Sequence, residues 1–492
     1  MADLTVWHQG QATQVSFESP QPLRQVLEKA GLSPAHPCGG RGVCGKCAVA
    51  LEGAVSPPDD AEIRAGTRLS CQAILLGDAV VRLPGSGSME QIETGGTANC
   101  APSAPMEGRL GAAVDIGTTT LALKLCALKT GQILATKTCL NPQTTIAADV
   151  MGRIGAALEG KLGLLQAQIL GALDDLLAQA CKEARVSTDL VDVWVITGNT
   201  TMLYLLTGRN PEPLSHAPFE AACLYGLETQ VLGRKAYLPP CMNAFVGADI
   251  TCAVLTSGMT AQKDISLLCD IGTNGELALW KDGTLYVTST AAGPAFEGAG
   301  ISCGCGSIPG AIDRVWTENG RLLVHTIGDR PASGLCGSGL IDAIAAFLAL
   351  GQIDETGAVD ADDLPLSDGV ALLPRDVRAV QLAKAAIAAG IQTLLDTAGT
   401  SIGEVAALYI AGGFGSHLNV ESAAAIGLIP AELKDRVQVI GNGALSGALE
   451  LLLDQNSVAE CAHLAKCSRH VNLGGNPRFN SNYMDQMMFP EE

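Results

Sequence analysis

Residues 112–120 read Ala-Ala-Val-Asp-Ile-Gly-Thr-Thr-Thr, and residues 267–276 read Leu-Leu-Cys-Asp-Ile-Gly-Thr-Asn-Gly-Glu. Each stretch is an apolar strand that ends in Asp-x-Gly-Thr, and each is followed by two more segments with strand patterns. A repeat at a separation of about 150 residues predicts two similar lobes that face each other across a cleft. Helical patterns over 162–184 and 375–398 fall between the sheets, so the sequence predicts an α/β fold.

The Asp-x-Gly-Thr turns have the composition of phosphate-binding hairpins. Glycine lets the backbone approach phosphate oxygens closely, and the Thr hydroxyls and exposed N–H groups can donate to those oxygens. The carboxylate at the strand end can hold Mg²⁺ through its water shell or orient an attacking water. A third segment, 407–416, is a buried strand that breaks into Gly412-Gly413, where a planar base can lie against bare backbone. For this third segment, an ordinary strand-to-helix turn is the alternative.

Four cysteines near the start of the chain have the spacing of a ferredoxin. Three lie on one Gly-rich loop and the fourth follows in a distant turn, and together they are Cys38, Cys44, Cys47 and Cys71. This is the ligand arrangement of a [2Fe–2S] cluster, with a first gap one residue longer than the plant-type C-x4-C. A structural zinc site and a disulfide pair are the alternatives, but zinc motifs usually contain two C-x2-C pairs and the sequence has one here.

Composition divides the chain of 492 residues into several units. Strand and helix patterns around the cysteines predict a small α+β ferredoxin of the β-grasp type over 1–84. Residues 85–108 are rich in Gly, Ser, Thr and Pro and cannot bury a core, which predicts a flexible linker. We expect the two lobes of the repeat at 109–260 (lobe I) and 261–475 (lobe II), and a C-terminal tail at 476–492.

Charge and hydropathy exclude some classes of partner. The net charge of −19 argues against nucleic acid and anionic membranes. No apolar run approaches the roughly 18–20 residues of a membrane span, and the first residues lack the basic start and apolar core of a signal peptide. We therefore predict a cytoplasmic protein without nucleic-acid or membrane partners, and the 17 cysteines suit an anaerobe.

Several phrases carry a resemblance to a known family. The doubled hairpin and the late Gly-Gly turn resemble the acetate/sugar kinase, Hsp70 and actin superfamily. Narrower phrases at 141–150, 197–202, 244–250 and 293–299 resemble the reductive activators of corrinoid proteins. That family joins an N-terminal [2Fe–2S] domain to an ATPase domain of this superfamily. Its members commonly have a separate middle domain, whereas here only residues 85–108 separate the two units.

The resemblance implies an ATP-dependent activator that passes an electron from a [2Fe–2S] cluster to the inactive Co(II) form of a corrinoid protein. This transfer restores Co(I) for methyl transfer. The implied cofactors are the cluster, ATP and Mg²⁺. The implied partners are a corrinoid methyl-carrier protein and a low-potential electron donor of the ferredoxin or flavodoxin type, and a homodimer is one candidate for the oligomeric state.

The candidate site residues fall into three groups. Asp115 and Asp270 are the candidate catalytic residues, which would organise Mg²⁺ and water. The four cysteines are the candidate metal ligands. The candidate nucleotide-binding residues are Gly117, Thr118, Thr119, Thr120, Asn199, Asp249, Gly272, Thr273, Asn274, Glu276, Gly412, Gly413 and Phe414. Local readings compete for three of them: Glu276 as a surface pair, Asp249 as a helix N-cap and Asn199 as a turn residue.

Three other functions compete with corrinoid activation. A small-molecule kinase of the same superfamily could carry the ferredoxin as a redox sensor, and would yield a phosphorylated metabolite. An activator of another low-potential enzyme, such as a 2-hydroxyacyl-CoA dehydratase, would differ in cluster type and iron content. A plain electron-transfer module with structural nucleotide would lack partner-stimulated hydrolysis.

Overall fold

The structure is a computed structural model that describes residues 2–8, 11–32, 47–58, 62, 68–83, 102–413 and 415–490. Of the candidate residues, Cys38, Cys44 and Phe414 lie outside the described residues. In the part of the chain that is described, no helix combines the length and apolar character needed to cross a membrane.

The N-terminal unit is a mixed sheet with one helix packed on it. Its strand order is β2-β1-β6-β4-β5, with β3 paired to β6, and β1 runs parallel to β6. Leu23, Val26 and Leu27 of the helix are buried against Leu4 and Val6 of the first strand. The elements are β1 (Ala2–His8), β2 (Gln11–Phe17), β3 (Gln21–Pro22), α1 (Leu23–Lys29), β4 (Ala48–Val55), β5 (Arg68–Leu69) and β6 (Ile74–Arg82). Strands and a helix are therefore present around the cysteines, as the sequence patterns predict.

Lobe I is built on a six-stranded sheet of order β11-β12-β10-β7-β8-β9. The strands β7, β8 and β9 form an antiparallel meander, and β10 lies parallel to β7 on its other side. The elements are β7 (Leu110–Ile116), β8 (Thr120–Ala127), β9 (Gln132–Leu140), α2 (Val150–Ala156), α3 (Leu162–Ala184), β10 (Val191–Gly198), α4 (Thr200–Leu206), β11 (Leu227–Val231), β12 (Arg234–Leu238) and α5 (Ala248–Ser257).

Lobe II repeats this arrangement with the order β22-β21-β13-β14-β15-β23. The antiparallel meander is β13-β14-β15, and β21 is parallel to β13, as β10 is to β7. The elements are β13 (Ile265–Ile271), β14 (Gly275–Lys281), β15 (Thr284–Thr290), β16 (Ala311–Glu318), β17 (Arg321–Thr326), β18 (Gly334–Leu335), α6 (Gly337–Ala349), β19 (Leu364–Ser367), β20 (Val370–Leu372), α7 (Pro374–Ala398), β21 (Val405–Ala411), α8 (Val420–Ala425), β22 (Val437–Gly441), α9 (Gly443–Leu453), α10 (Asn456–Cys467), β23 (Ser468–His470) and α11 (Pro477–Asp485). The duplication predicted from the repeat is therefore present in the topology.

Two helices, α5 and α9, fill the space between the sheets. Their residues share one core with both lobes, including Val195 of β10, Leu268 of β13 and Leu449 of α9. The helices approach closely because Gly447 has no side chain: a Cβ there would lie 2.2 Å from the carbonyl oxygen of Cys252. The lobes are thus joined by packed helices rather than by a loose hinge.

Strand alternation explains where the carboxylates of Asp115 and Asp270, one in each copy of the repeat, point. Ala112, Val114 and Ile116 of β7 belong to the core under α3, whereas Ala113 faces the helices between the lobes. In β13, Leu267 and Cys269 face the α7 side and Leu268 faces the same interlobe helices. Because side chains alternate with a period of two, Asp115 and Asp270 continue the faces of Ala113 and Leu268. Both carboxylates therefore end on the cleft side of their sheets.

Two segments at the predicted unit boundaries are packed. Residues 102–108 of the predicted linker include Met106, whose N–H donates to the carbonyl oxygen of Leu452 (2.9 Å) in α9. The predicted tail contains α11, and Phe489 beyond it is buried at 2% exposure near Lys384 of α7. We therefore propose that the linker ends before residue 102 and that the C-terminal segment is part of lobe II.

Candidate functional site: a nucleotide cleft and a thiol pair

The two hairpins of the repeat line one cavity of about 370 Å³ between the lobes. Every candidate nucleotide or catalytic residue within the described residues lines it: Asp115, Gly117, Thr118, Thr119, Thr120, Asn199, Asp249, Asp270, Gly272, Thr273, Asn274, Glu276, Gly412 and Gly413. The fold thus brings together residues from distant parts of the sequence. Their roles in binding and catalysis stay predictions.

Two glycines are required by the geometry of these turns. The Gly117 N–H donates to the carbonyl oxygen of Thr120 (2.9 Å), and a Cβ on Gly117 would lie 2.6 Å from that same oxygen. Gly412 has φ +94°, and a Cβ there would lie 2.6 Å from Oδ1 of Asp270. A side chain at either position would therefore displace the backbone or the carboxylate that forms the site.

Four carboxyl groups in the cleft have raised pKa values. Burial raises the pKa of Asp115 to about 6, opposed by the amide of Asn442. Burial, followed by the charge of Asp115, raises the pKa of Asp270 to about 7. Burial and then the charges of Asp115 and Asp270 raise that of Asp249 to about 8, and burial with neighbouring carboxylates raises that of Glu276 well above its ordinary value. Close carboxylates in a partly enclosed site favour a bound cation.

These carboxylates fit Mg²⁺, which prefers oxygen ligands and keeps several waters. Among the described residues, no three acidic, His or Cys side chains converge into a ready-made metal cage. The described lining residues also include neither Lys nor Arg. A divalent cation held by one or two carboxylates together with phosphate oxygens would match both observations.

The structure resolves the local readings of three candidates. Asn199 is the N-cap of α4, since its Oδ1 accepts from the N–H of Met202 (3.0 Å), and its Nδ2 also donates to Thr118 Oγ1 (3.1 Å). Gly247, not Asp249, occupies the N-cap position of α5, so Asp249 lies in the first turn. Glu276 is the cross-strand partner of Asp270 and faces the cleft, so it is not a surface pair.

Sequence reasoning missed Asn442, the N-cap of α9. Its Oδ1 accepts from the N–H of Leu445 (2.7 Å), and its Nδ2 donates to Oδ2 of Asp115 (3.0 Å). This amide joins the interlobe helix to the lobe I carboxylate. The signal available was the Gly-Asn-Gly sequence after an apolar strand, which indicates an N-cap but gives no partner 327 residues away.

Glu297 was also missed, although it lies in a phrase that carries the family resemblance. Its Oε2 accepts from Thr119 Oγ1 of the lobe I hairpin (3.1 Å). Its Oε1 accepts from Thr273 Oγ1 of the lobe II hairpin (2.7 Å). One carboxylate therefore bridges the two hairpins.

A third missed residue is Arg153 of α2, which lies directly behind the lobe I hairpin with 0% exposure. Its guanidinium donates to the carbonyl oxygens of Thr118 (2.5 Å) and Ala147 (3.1 Å) and to Oε1 of Gln143 (3.1 Å). These acceptors are neutral, and burial lowers the pKa of Arg153 to about 10, with Asp149 acting in the opposite direction. The buried cation places positive charge behind a turn that would hold anionic phosphates.

A second cavity of about 750 Å³ adjoins the first, with which it shares Asn199, Asn274 and Glu276. Its other walls include Phe219 and Phe245, whose rings meet edge to face at 5.3 Å. Gly412, Gly413, Ser338 and His417 line the first cavity but not the second. The cleft therefore has a glycine-rich part that is separate from the larger aromatic and polar cavity.

The N-terminal unit brings two candidate cluster ligands together. The Sγ atoms of Cys47 and Cys71 are 3.2 Å apart, and the N–H of Ser70 donates to the carbonyl oxygen of Cys47 (2.9 Å), which fixes the turn beside it. Burial raises the pKa of the Cys47 thiol to about 12, and coordination to a metal would favour its thiolate form. A converging thiol pair on a β-grasp sheet fits an iron–sulfur cluster.

The chain is similar in sequence to a known corrinoid activation enzyme. The corrinoid activation enzyme RamQ of Eubacterium limosum is 35% identical over 418 residues, covering 77% of this chain and 70% of the relative. Family models described as the RACo middle region and as the C-terminal domain of RACo, the ASKHA domain, match residues 110–262 and 264–492. The chain belongs to the RACo family. This confirms the resemblance to reductive activators of corrinoid proteins.

The similarity also extends to the N-terminal unit. A 2Fe-2S iron–sulfur cluster binding domain matches residues 7–76. The [Co(II) methylated amine-specific corrinoid protein] reductase of Methanosarcina barkeri is 25% identical over 420 residues, 77% of each chain. A solved reductive activator for corrinoid, iron–sulfur protein covers 99% of this chain and 98% of its own at 26% identity, with a TM-score of 0.72.

These matches confirm the predicted fold class, a β-grasp [2Fe–2S] domain with an ATPase domain of the ASKHA superfamily. They also overturn one expectation. The family's middle region is not missing, since its model matches 110–262, and in the structure these residues form lobe I. The resemblance therefore extends through the segment in which a departure from the family was expected.

Proposed function

We propose that this protein is an ATP-dependent reductive activator that reduces the Co(II) form of a corrinoid protein to Co(I), ready for methyl transfer. The observation that carries the proposal is the union, in one chain, of a cleft with two facing phosphate-type hairpins and a thiol pair on a ferredoxin sheet. The functions named for two relatives, a corrinoid activation enzyme and a Co(II) corrinoid protein reductase, support the same chemistry.

The need for ATP follows from the energetics of the electron transfer. For a one-electron step, about 59 mV is a tenfold change in the equilibrium constant. A deficit of roughly 300 mV between donor and cobalt would therefore leave only about one cobalt in 10⁵ reduced. A nucleotide changes this only by favouring one state of the activator–carrier complex over another. We propose that ATP closes the two lobes and favours a docked state in which cobalt is easier to reduce.

We propose that different cleft residues contact different parts of MgATP. Asp115 and Asp270 orient the hydrated Mg²⁺ and the attacking water, because their carboxylates end on the cleft faces of the two sheets. Thr118, Thr119 and Thr273 donate hydroxyl hydrogens to phosphate oxygens. Arg153 compensates phosphate charge from behind the lobe I hairpin, through the carbonyl group of Thr118. Asn274 and the glycine turns position phosphate and adenosine.

The cysteines of the N-terminal unit would hold the cluster. Cys47 and Cys71 lie together, and Cys38 and Cys44 complete the proposed set of four ligands. When bound, the cluster supplies a one-electron carrier. Each electron given to Co(II) is replaced by a low-potential donor, for which we propose a ferredoxin or a flavodoxin, so oxidation and reduction balance over one cycle.

Three further features belong to the proposal. The units are a [2Fe–2S] domain at 1–84, a linker from 85, and an ATPase domain that includes both lobes. Residues 85–101 lie outside the described residues, and from their composition we propose that the linker lets the cluster domain approach donor and acceptor in turn. We also propose a cytoplasmic location, where reducing conditions keep buried thiols such as Cys126, Cys181 and Cys269 free, and a homodimer as the assembly to test first.

The test is optical and anaerobic. The reconstituted protein is mixed with a limiting reductant and a Co(II) corrinoid carrier, MgATP is added, and the Co(I) absorption band is followed. We expect the band only after MgATP in wild type, no band in Cys71→Ala, and a normal band in Cys467→Ala, a half-buried thiol of α10. Equal Co(I) yields with and without ATP, or a phosphorylated metabolite in place of Co(I), would contradict the proposal.

A further inference from the structure

Glu297 occupies the position between the hairpins that the proposed function assigns to phosphate. Its two carboxylate oxygens accept from Thr119 Oγ1 (3.1 Å) and Thr273 Oγ1 (2.7 Å), one hydroxyl from each lobe. Those hydroxyls are among the donors predicted to bind phosphate oxygens. An internal anion therefore satisfies the same donors in this structure.

The carboxylate is held there by its own loop. It ends a short 3₁₀ helix, Pro294–Glu297, whose Phe296 is buried at 2% exposure. Gly298, with φ +73°, closes the loop, and a Cβ there would lie 2.6 Å from the carbonyl oxygen of Cys305. A Cβ on Gly272 would lie 3.9 Å from Oε1 of Glu297, so the carboxylate packs against the lobe II hairpin itself.

Phosphate and Glu297 cannot share these donors. A threonine hydroxyl has a single hydrogen to donate, so each bond to the carboxylate excludes one to phosphate. Two anions within about 4 Å also repel, the more so in a cleft whose other acidic groups already interact. A nucleotide that takes both hydroxyls must move the carboxylate away.

We propose that Glu297 is an internal anion that ATP displaces, so that phosphate binding breaks the Glu297 bridge between the hairpins and releases the loop at 293–300. This inference rests on the proposed function, because it assigns the hydroxyls of Thr119 and Thr273 to ATP. Glu297 is then a positioning residue: it links the two hairpins and opposes nucleotide binding. Its release would report an occupied cleft to the rest of lobe II.

The first measurement compares ATP binding to wild type, Glu297→Gln and Glu318→Gln by calorimetry. Glutamine keeps an acceptor oxygen but removes the charge, so we expect Glu297→Gln to bind MgATP about tenfold more tightly, about 1.4 kcal/mol. Glu318 is exposed on β16 and serves as the matched control with wild-type affinity. Affinity equal to or weaker than wild type in Glu297→Gln would overturn the proposal, since the carboxylate would then assist the bound nucleotide.

The second measurement needs no variant. Hydrogen–deuterium exchange of wild type should increase over 293–300 when MgATP binds, because the loop loses its two bonds to the hairpins. Protection of this segment by MgATP would overturn the displacement. Wild type that binds no ATP would overturn both the proposed function and the role of Glu297. If wild type binds ATP but exchange over 293–300 is no faster, or if Glu297→Gln shows no gain in affinity, only the role of Glu297 is overturned.

Discussion

The turn after β10 in lobe I and the turn after β21 in lobe II have equivalent places in the duplicated fold but different chemistry. After β10, Asn199 caps a helix and donates to Thr118 of the neighbouring hairpin. After β21, Gly412 turns with a positive φ so close to Asp270 that no side chain fits. Lobe I thus places polar groups around the proposed phosphate position, with Arg153 behind them, whereas lobe II has bare backbone at the proposed nucleoside position. The two lobes have the same strand arrangement. The residues that follow the strands give each lobe a different part of the proposed nucleotide site.

The largest expected effect falls on what the lobes have in common, the carboxylates Asp115 and Asp270. We expect Asp115→Asn and Asp270→Asn each to reduce ATP hydrolysis by about 100-fold, the contribution typical of a positioned acid–base group. Steady-state phosphate release measures this, with the exposed Asp282→Asn as control. A wild-type rate in either variant would show that its carboxylate is not needed for hydrolysis and that the two hairpins have different roles.

The next effect tests the cation that backs the lobe I hairpin. Arg153→Met leaves the buried carbonyl oxygens of Thr118 and Ala147 without this donor, so we expect the free energy of unfolding to fall by about 1–3 kcal/mol. We also expect about tenfold weaker MgATP binding, about 1.4 kcal/mol. Denaturant titration and calorimetry measure the two effects.

The matched control for Arg153 is Lys281→Met. Lys281 also donates to two backbone carbonyl oxygens, those of Ala398 and Gly399, but at the far end of β14. The Lys281→Met variant should have a lower free energy of unfolding than wild type but the same affinity for MgATP. Equal loss of ATP affinity in both variants would show that Arg153 acts through stability alone.

The two turns themselves should respond differently to alanine. Gly412→Ala forces a side chain into a positive-φ position against Asp270, and we expect a loss of about 1–3 kcal/mol in stability. Asn199→Ala removes a helix cap and should cost about 1 kcal/mol. Thermal unfolding orders the two. The opposite order would mean that the cap, not the bare turn, is the more constrained element.

The last effect is on the pH dependence of stability without metal or nucleotide. Burial raises the pKa values of Asp115 and Asp270 to about 6 and 7. Above the ordinary carboxyl pKa of about 4, the folded protein therefore binds more protons than the unfolded chain, and stability is lost as the pH rises to about 7. Between pH 5 and pH 8, wild type should lose about 1–2 kcal/mol more than Asp270→Asn, measured by denaturant titration. Identical pH profiles would contradict the placement of Asp270.

Sequence reasoning reached the parts of the site that local pattern encodes. The repeat of Asp-x-Gly-Thr predicted both hairpins, because a strand followed by a glycine turn is recognisable without tertiary contacts. It did not find Asn442, Glu297 or Arg153. Their roles depend on contacts made across the cleft or through the core, such as the one between Glu297 and Thr119, which lie 178 residues apart. Composition also placed 102–108 in the linker, since it gave no sign that this segment packs on α9.

The proposed function requires that the nucleotide cleft drives the transfer of an electron to cobalt from the N-terminal domain, which holds the thiol pair. The most direct measurement compares Co(I) formation by wild type, Cys71→Ala and Asp270→Asn under identical anaerobic conditions with MgATP. We predict that Cys71→Ala hydrolyses ATP but forms no Co(I), and that Asp270→Asn accepts an electron at its N-terminal domain, seen by electron paramagnetic resonance, but forms little Co(I). A wild-type yield of Co(I) from Asp270→Asn would show that the cleft does not drive the transfer, and would contradict the account.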